Sequence, residues 1–170
     1  MTRLVFALLV ALVLAGGLVL GASRTRAAEV QFTGAQSDYL EHCGGCHGLQ
    51  GDTSPAPIPV LRGRAGYFLC IPASRSYLLR LPNVTRTMVD DDQAVADMMN
   101  FVAFELGGPS APKGARPFTA AEVAAGRHHT MSGDEMIEER RRVVEALIAT
   151  CGAPASLRQS YPGQPVSPRR

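Results

Sequence analysis

The sequence predicts a mostly α-helical protein, and three stretches carry that prediction. Val95, Met98, Met99, Val102 and Leu106 recur at helical spacing. They follow an acidic run, Asp90-Asp91-Asp92, in which Asp90 or Asp91 can cap the helix and the charges suit its positive end. Thr119-x-x-Glu122 and Ser132-x-x-Glu135 are capping-box patterns, each set within a hydrophobic staple, Phe118 with Val123 and Met131 with Met136. Earlier in the chain, Thr33 can cap a short helix that places Tyr39, Leu40 and Cys43 on neighbouring turns. The length of 170 residues and ordinary apolar content fit one domain, or a small domain with a C-terminal helical extension.

In chain order, Arg3 precedes an apolar run from Leu4 to Ala22, a pattern that targets a chain to a membrane translocon. The run is long for a signal-peptide core and borderline for a membrane span. Arg24 and Arg26 behind it oppose retention with the N-terminus inside, since positive charge prefers the cytoplasmic side. Thr25 and Ala27 are small residues suited to a cleavage site. Residues 1–28 are therefore expected to be a signal peptide, with a retained N-terminal anchor as the alternative. Either way the rest of the chain is expected outside the cytoplasm, on the periplasmic side, where disulfides persist.

The capped helix leads into Cys43-Gly44-Gly45-Cys46-His47. This C-x-x-C-H spacing is the signature of c-type haem attachment. Cys43 and Cys46 add across the haem vinyl groups as thioethers, and His47 brings an imidazole under the iron as proximal ligand. Two other chemistries use a C-x-x-C pair. A zinc site needs a second pair at metal spacing, whereas Cys70 and Cys151 stand alone and far apart. A thioredoxin-like dithiol wants a preceding strand and a βαβ pattern, whereas Thr33 to His42 reads as helix. One covalent haem c is the expected cofactor.

With these residues in view, Tyr39 to Gly48 resembles the haem-binding start of a class I cytochrome c. The resemblance implies a small, mostly helical electron carrier and covers roughly Gln31 to Leu106, so the haem domain is expected at 29–108. Pro59 and Leu61 fall where many class I cytochromes have Pro-x-Leu after the motif. Carried over, the Pro59 carbonyl would accept the Nδ1–H of His47, fixing its tautomer and raising its basicity, and Leu61 would pack on the haem. The resemblance also makes the helix ending at Leu106 the one that crosses the first helix.

Between these landmarks, Gly48 to Pro59 is a Gly/Pro/Ser-rich loop. Arg62 and Arg64 can pair with haem propionates or stand as solvated charge. Tyr77, Leu78, Leu79 and Leu81 read as core. Met88 lies in the loop after Leu81-Pro82 and before the acid-capped helix, where class I cytochromes place their methionine, so the resemblance implies that it is the distal iron ligand; Val89 stands beside it where many relatives have Pro. Met98 and Met99 lie on the apolar stripe and read as core filler. His128 and His129 are rival ligands, and otherwise exposed loop histidines.

Residues 109–152 are expected to form the helical extension. It begins with a Pro/Gly/Ala-rich linker, Pro109 to Pro117. Its last helix should bury Ile137, Val144, Leu147, Ile148 and Cys151, leaving Arg140-Arg141-Arg142 largely outside that face. Residues 153–170 read as disordered tail. Cys70 and Cys151, which attachment does not use, are candidates for a disulfide; two buried free thiols are the alternative.

The formal charge is +2. Removing Arg3, Arg24 and Arg26 from the 17 basic residues leaves 14 against 15 acidic ones, a net of −1. Nothing in this balance suits nucleic acid. The expected function is an exported monohaem cytochrome carrying single electrons between a periplasmic dehydrogenase and a terminal acceptor. Its partners would be redox proteins, such as that dehydrogenase, a terminal oxidase or another cytochrome. A membrane enters only if the N-terminal segment is retained. The rivals are a haem enzyme or gas sensor with an open sixth site, and a permanent cytochrome subunit of a dehydrogenase complex.

Overall fold

The computed structural model describes residues 32–52 and 58–158. The expected signal or anchor at 1–28, residues 53–57 of the Gly/Pro/Ser-rich loop and residues 159–170 of the expected tail lie outside the described residues. All regular elements among the described residues are helical, with no strand, as the capped periodic stretches predict. None of these helices is long and apolar enough to cross a membrane.

Helix α1 (Gly34–Tyr39) starts at Thr33 in a complete capping box with Gln36. It runs on as a π-helical stretch, Leu40–Gly44, and a last α-turn, Gly45–His47. A 3-10 turn, Ala65–Leu69, leads to α2 (Pro72–Leu79) and the short α3 (Pro82–Thr85). Both helices begin on proline, whose missing N–H costs nothing in a first turn. Asp91 caps α4 (Asp92–Asn100), its carboxylate accepting from Gln93 N–H at 2.9 Å. The chain continues through a π-helical stretch, Phe101–Leu106, and a 3-10 turn, Gly108–Ser110. Two more helices follow, α5 (Ala120–Gly126) and α6 (Gly133–Cys151), then a closing 3-10 turn, Ala155–Arg158.

The expected capping boxes differ in outcome. Ser132 and Glu135 form a complete one. Thr119 accepts from Glu122 N–H at 3.2 Å, yet the Glu122 carboxylate does not return to it. Arg75 takes that carboxylate instead, at 2.8 and 2.6 Å. Its guanidinium also donates to the carbonyls of Arg116 and Pro117 and lies 4.2 Å from the centroid of the Phe118 ring. Two bonds from a charged, forked donor are worth more to a carboxylate than one bond from a cap N–H, so the tertiary partner wins.

The apolar residues gather in two cores. The first joins Tyr39 of α1, Leu69, the α4 stripe from Val95 to Leu106, and Phe118 and Val123. Here α1 meets the end of α4, with the Tyr39 and Phe101 rings 5.4 Å apart. The expected core fillers Met98 and Met99 are buried. Backbones touch where a Cβ on Gly66 would fall 2.3 Å from Ala111 N, and one on Gly107 would fall 2.5 Å from Gly66 N. Both positions therefore exclude any side chain. Asn100 ties Phe118 to α4 from both sides, accepting its N–H at 2.7 Å and donating to its carbonyl at 3.0 Å.

The second core packs Phe68 and Tyr77 against Met131, Val143, Val144, Leu147 and Leu157. Cys70 and Cys151 are bonded beside it, with Cα atoms 6.3 Å apart. Two expectations need correction. Ile137 is exposed, and Val143, which lies off the expected stripe, is buried. Arg140 lies on that face: it sits 5.8 Å from the Phe68 ring centroid and donates to the Leu157 carbonyl at 3.1 Å. Its aliphatic stem covers apolar surface while its head finds acceptors. The chain also stays docked beyond residue 153, since Ala153 and Leu157 are buried and Arg158 pairs with Glu145 at 2.7 Å.

Candidate haem-attachment site

Cys43, Cys46 and His47 occupy the π-helical stretch and the last turn of α1. Tyr39, one turn earlier, anchors this end. Burial pushes its hydroxyl up to about 12, so it stays protonated, and it donates to the Gly48 carbonyl at 2.7 Å. Gly48 ends the helix at φ 78°, ψ 164°, a conformation essentially reserved for glycine. The chain therefore turns away directly after His47. Gly51 closes the turn, its carbonyl accepting from Leu61 N–H at 2.8 Å and Arg62 N–H at 2.9 Å. That pairing brings the 58–61 segment back beneath α1.

Its consequence is a specific bond. His47 Nδ1 lies 3.0 Å from the Pro59 carbonyl oxygen. A carbonyl only accepts, so Nδ1 carries the proton and Nε2 presents its lone pair. Burial holds the His47 pKa below the ordinary histidine value, against an opposing pull from Pro59. A neutral imidazole with its tautomer set by a carbonyl is the form that ligates a metal.

The two motif cysteines are unpaired, Cys46 exposed and Cys43 partly buried. Burial, and then the nearness of Cys46, pushes the Cys43 thiol up to about 11. A redox dithiol needs a thiol shifted the other way. A zinc site fares no better: Cys70 and Cys151 are bonded to each other, and no group of three or more His, Cys, Asp or Glu among the described residues could hold a metal ion. The donor set does fit a covalent haem: two unpaired thiols on one helix end, an imidazole with a free Nε2, and open space where a Cβ on Gly45 would meet no protein atom within 4 Å.

Leu61 is partly buried against the first core. Arg62 and Arg64 each hold a protein carbonyl. Arg62 holds the Gln50 carbonyl at 2.7 Å, and Arg64 the Ser156 carbonyl at 2.8 Å. Met88 sits in the turn between α3 and α4 and is 87% exposed, while Met98, Met99 and Met131 are at most 4% exposed and Met136 packs against the second core. Met88 is thus the one described methionine whose thioether no protein core has taken. His128 and His129 are exposed.

Arg127, at the end of α5, carried no signal in the sequence. It donates to the Val89 carbonyl at 3.0 Å and the Asp90 carbonyl at 2.9 Å, and its Nε lies 2.8 Å from the Asp92 carboxylate. It therefore braces the backbone just after Met88. Only the tertiary structure brings these residues together.

No protein-family model and no solved structure matches the chain. Among proteins of known name, the chain is 26% identical over 152 residues to a cytochrome c-552 of Thermus thermophilus, covering 79% of this chain and 95% of that one. A second Thermus thermophilus cytochrome c-552 is 25% identical over 118 residues, covering 59% of this chain and 90% of its own. These likenesses support a place among c-type cytochromes.

Proposed function

We propose that this chain is an exported monohaem c-type cytochrome of the class I kind, carrying single electrons between a periplasmic dehydrogenase and a terminal acceptor. The observation that carries this reading is the His47–Pro59 hydrogen bond, 3.0 Å long, in a helix end where both motif cysteines are unpaired. The two cytochromes c-552 point the same way. Export rests on Arg3 and the apolar run from Leu4 to Ala22.

When bound, the haem supplies a one-electron iron couple. The chain's own residues do the rest. Cys43 and Cys46 hold the macrocycle by thioether bonds. His47 offers Nε2, and the Pro59 carbonyl keeps its ring in one orientation and makes it a stronger donor. Met88 would be the second residue to hold the iron, and a thioether there would raise the potential relative to a bis-histidine site. A second reading, a gas sensor or haem enzyme with an open sixth site, draws on the 87% exposure of Met88.

Mass spectrometry of the denatured mature protein, made in a host with cytochrome-assembly machinery, should show the chain plus one haem. Its absence would overturn the proposal. Met88→Ala should abolish the far-red sulfur-to-iron charge-transfer band and lower the potential. A high-spin wild type that binds carbon monoxide avidly would favour the second reading. Copurification with a dehydrogenase would make the chain a permanent subunit.

A further inference from the structure

Residues 127–131 run alongside the segment that carries Met88. Arg80 Nε donates to the His129 carbonyl at 3.2 Å, and Met131 N–H donates to the Arg80 carbonyl at 3.2 Å. Thr130 and Thr85 hydroxyls meet at 2.7 Å. Arg127 binds the Val89 and Asp90 carbonyls and the Asp92 carboxylate. The chain thus has contacts before Met88 and directly after it, but Met88 itself is 87% exposed. Val89 N–H makes only a long 3.4 Å contact to the Thr87 hydroxyl, too weak to fix the tip by itself. Of the contacts made by residues 127–131, the two from the Arg127 fork to carbonyls lie nearest in sequence to Met88.

We propose that Arg127 is the positioning residue for the distal ligand: by holding the carbonyls of Val89 and Asp90, it keeps Met88 within reach of the iron. This rests on the reading of Met88 as that ligand. A planar guanidinium serves two carbonyls through separate N–H groups while its charge faces the Asp92 carboxylate, which a lysine ammonium cannot do in that geometry. Without the fork, the segment after Met88 samples more conformations. The fraction of molecules with the thioether poised then falls, and with it the apparent strength of ligation.

The test uses full-length holoprotein with wild-type, Arg127→Gln, Arg127→Lys and Met88→Ala chains. Imidazole, a small external ligand, is titrated while the far-red band is followed. Global unfolding of each sample is followed by far-ultraviolet circular dichroism. In Arg127→Gln the imidazole concentration that halves the band should fall roughly tenfold, the scale expected for losing charged hydrogen bonds. Arg127→Lys should show a similar fall, because it keeps the charge opposite Asp92 but not the fork. Trypsin should also cut faster after the exposed Arg86 in both variants. An unchanged imidazole midpoint, or one that moves only in step with global unfolding, would make Arg127 merely structural and overturn the inference. A wild type without the band, matched by Met88→Ala, would show instead that the underlying reading of Met88 fails, and the inference with it.

Discussion

The His47 side of the site and the Met88 side are built by different means. The His47 side is local. Tyr39, Cys43, Cys46, His47, Gly48 and Pro59 lie within one short stretch, and their bonds run from Tyr39 to Gly48 and from His47 to Pro59. The Met88 side is assembled from afar. Its turn is held by Arg127, Thr130 and Met131, which arrive only after α4 and α5 have packed. Short loops close at little entropic cost, so the first side can form early and tolerate damage elsewhere. The second depends on the whole fold being in place.

This difference can be broken at several strengths. The largest expected effect is at His47. His47→Gly should remove the proximal ligand while leaving the thioether bonds, so the haem stays attached but its low-spin spectrum is lost. Haem staining on a denaturing gel, read beside the visible spectrum, separates the two. A retained low-spin spectrum would show that another group reaches the iron on this side.

Cys151→Ser tests the distant support. The Cys70–Cys151 bond spans 81 residues, and in the chain-entropy model removing such a link costs roughly 4 kcal/mol. The unfolding midpoint in guanidinium should fall accordingly, while in dilute buffer the haem bands stay where they were, because every proposed ligand precedes Pro109. Comparable unfolding curves with and without the bond would mean that core packing alone secures α6.

Tyr39→Phe probes the smallest contribution. It keeps the ring against Phe101 but leaves the Gly48 carbonyl without its donor, at a cost of about 1 kcal/mol. Equilibrium unfolding should register that loss without a change in the visible spectrum. A shift in the low-spin bands would mean that the Gly48 turn sets the orientation of His47 directly, making the local side tighter than its bond list suggests.

Much of the fold was readable because it is written in short-range patterns. The Val95 to Leu106 stripe is buried in the first core as its spacing predicts, and Thr33, Asp91 and Ser132 cap the helices that they precede. The last helix shows where such reading stops. Ile137 falls on the expected apolar stripe and Val143 does not, yet Val143 is buried in the core with Phe68 and Tyr77 and Ile137 is exposed. Glu122 looks like half of a capping box but belongs to Arg75, and no local pattern announces a guanidinium 47 residues upstream.

By itself, then, the sequence determined what depends on neighbours along the chain. The resemblance to class I cytochromes c supplied the candidates Pro59 and Met88; local patterns supplied the helical class, the attachment motif with its histidine and the caps. Each of these patterns rests on side chains a few residues apart, where helix geometry fixes who meets whom. Only the tertiary structure decided the partners of the arginines, the docking of residues 153–158 and the bracing of the turn after Met88. A long charged side chain reaches whatever acceptor folding brings near it. Arg75 and Arg127 found carbonyls and a carboxylate, and Arg140 the Leu157 carbonyl, none of which a spacing rule names.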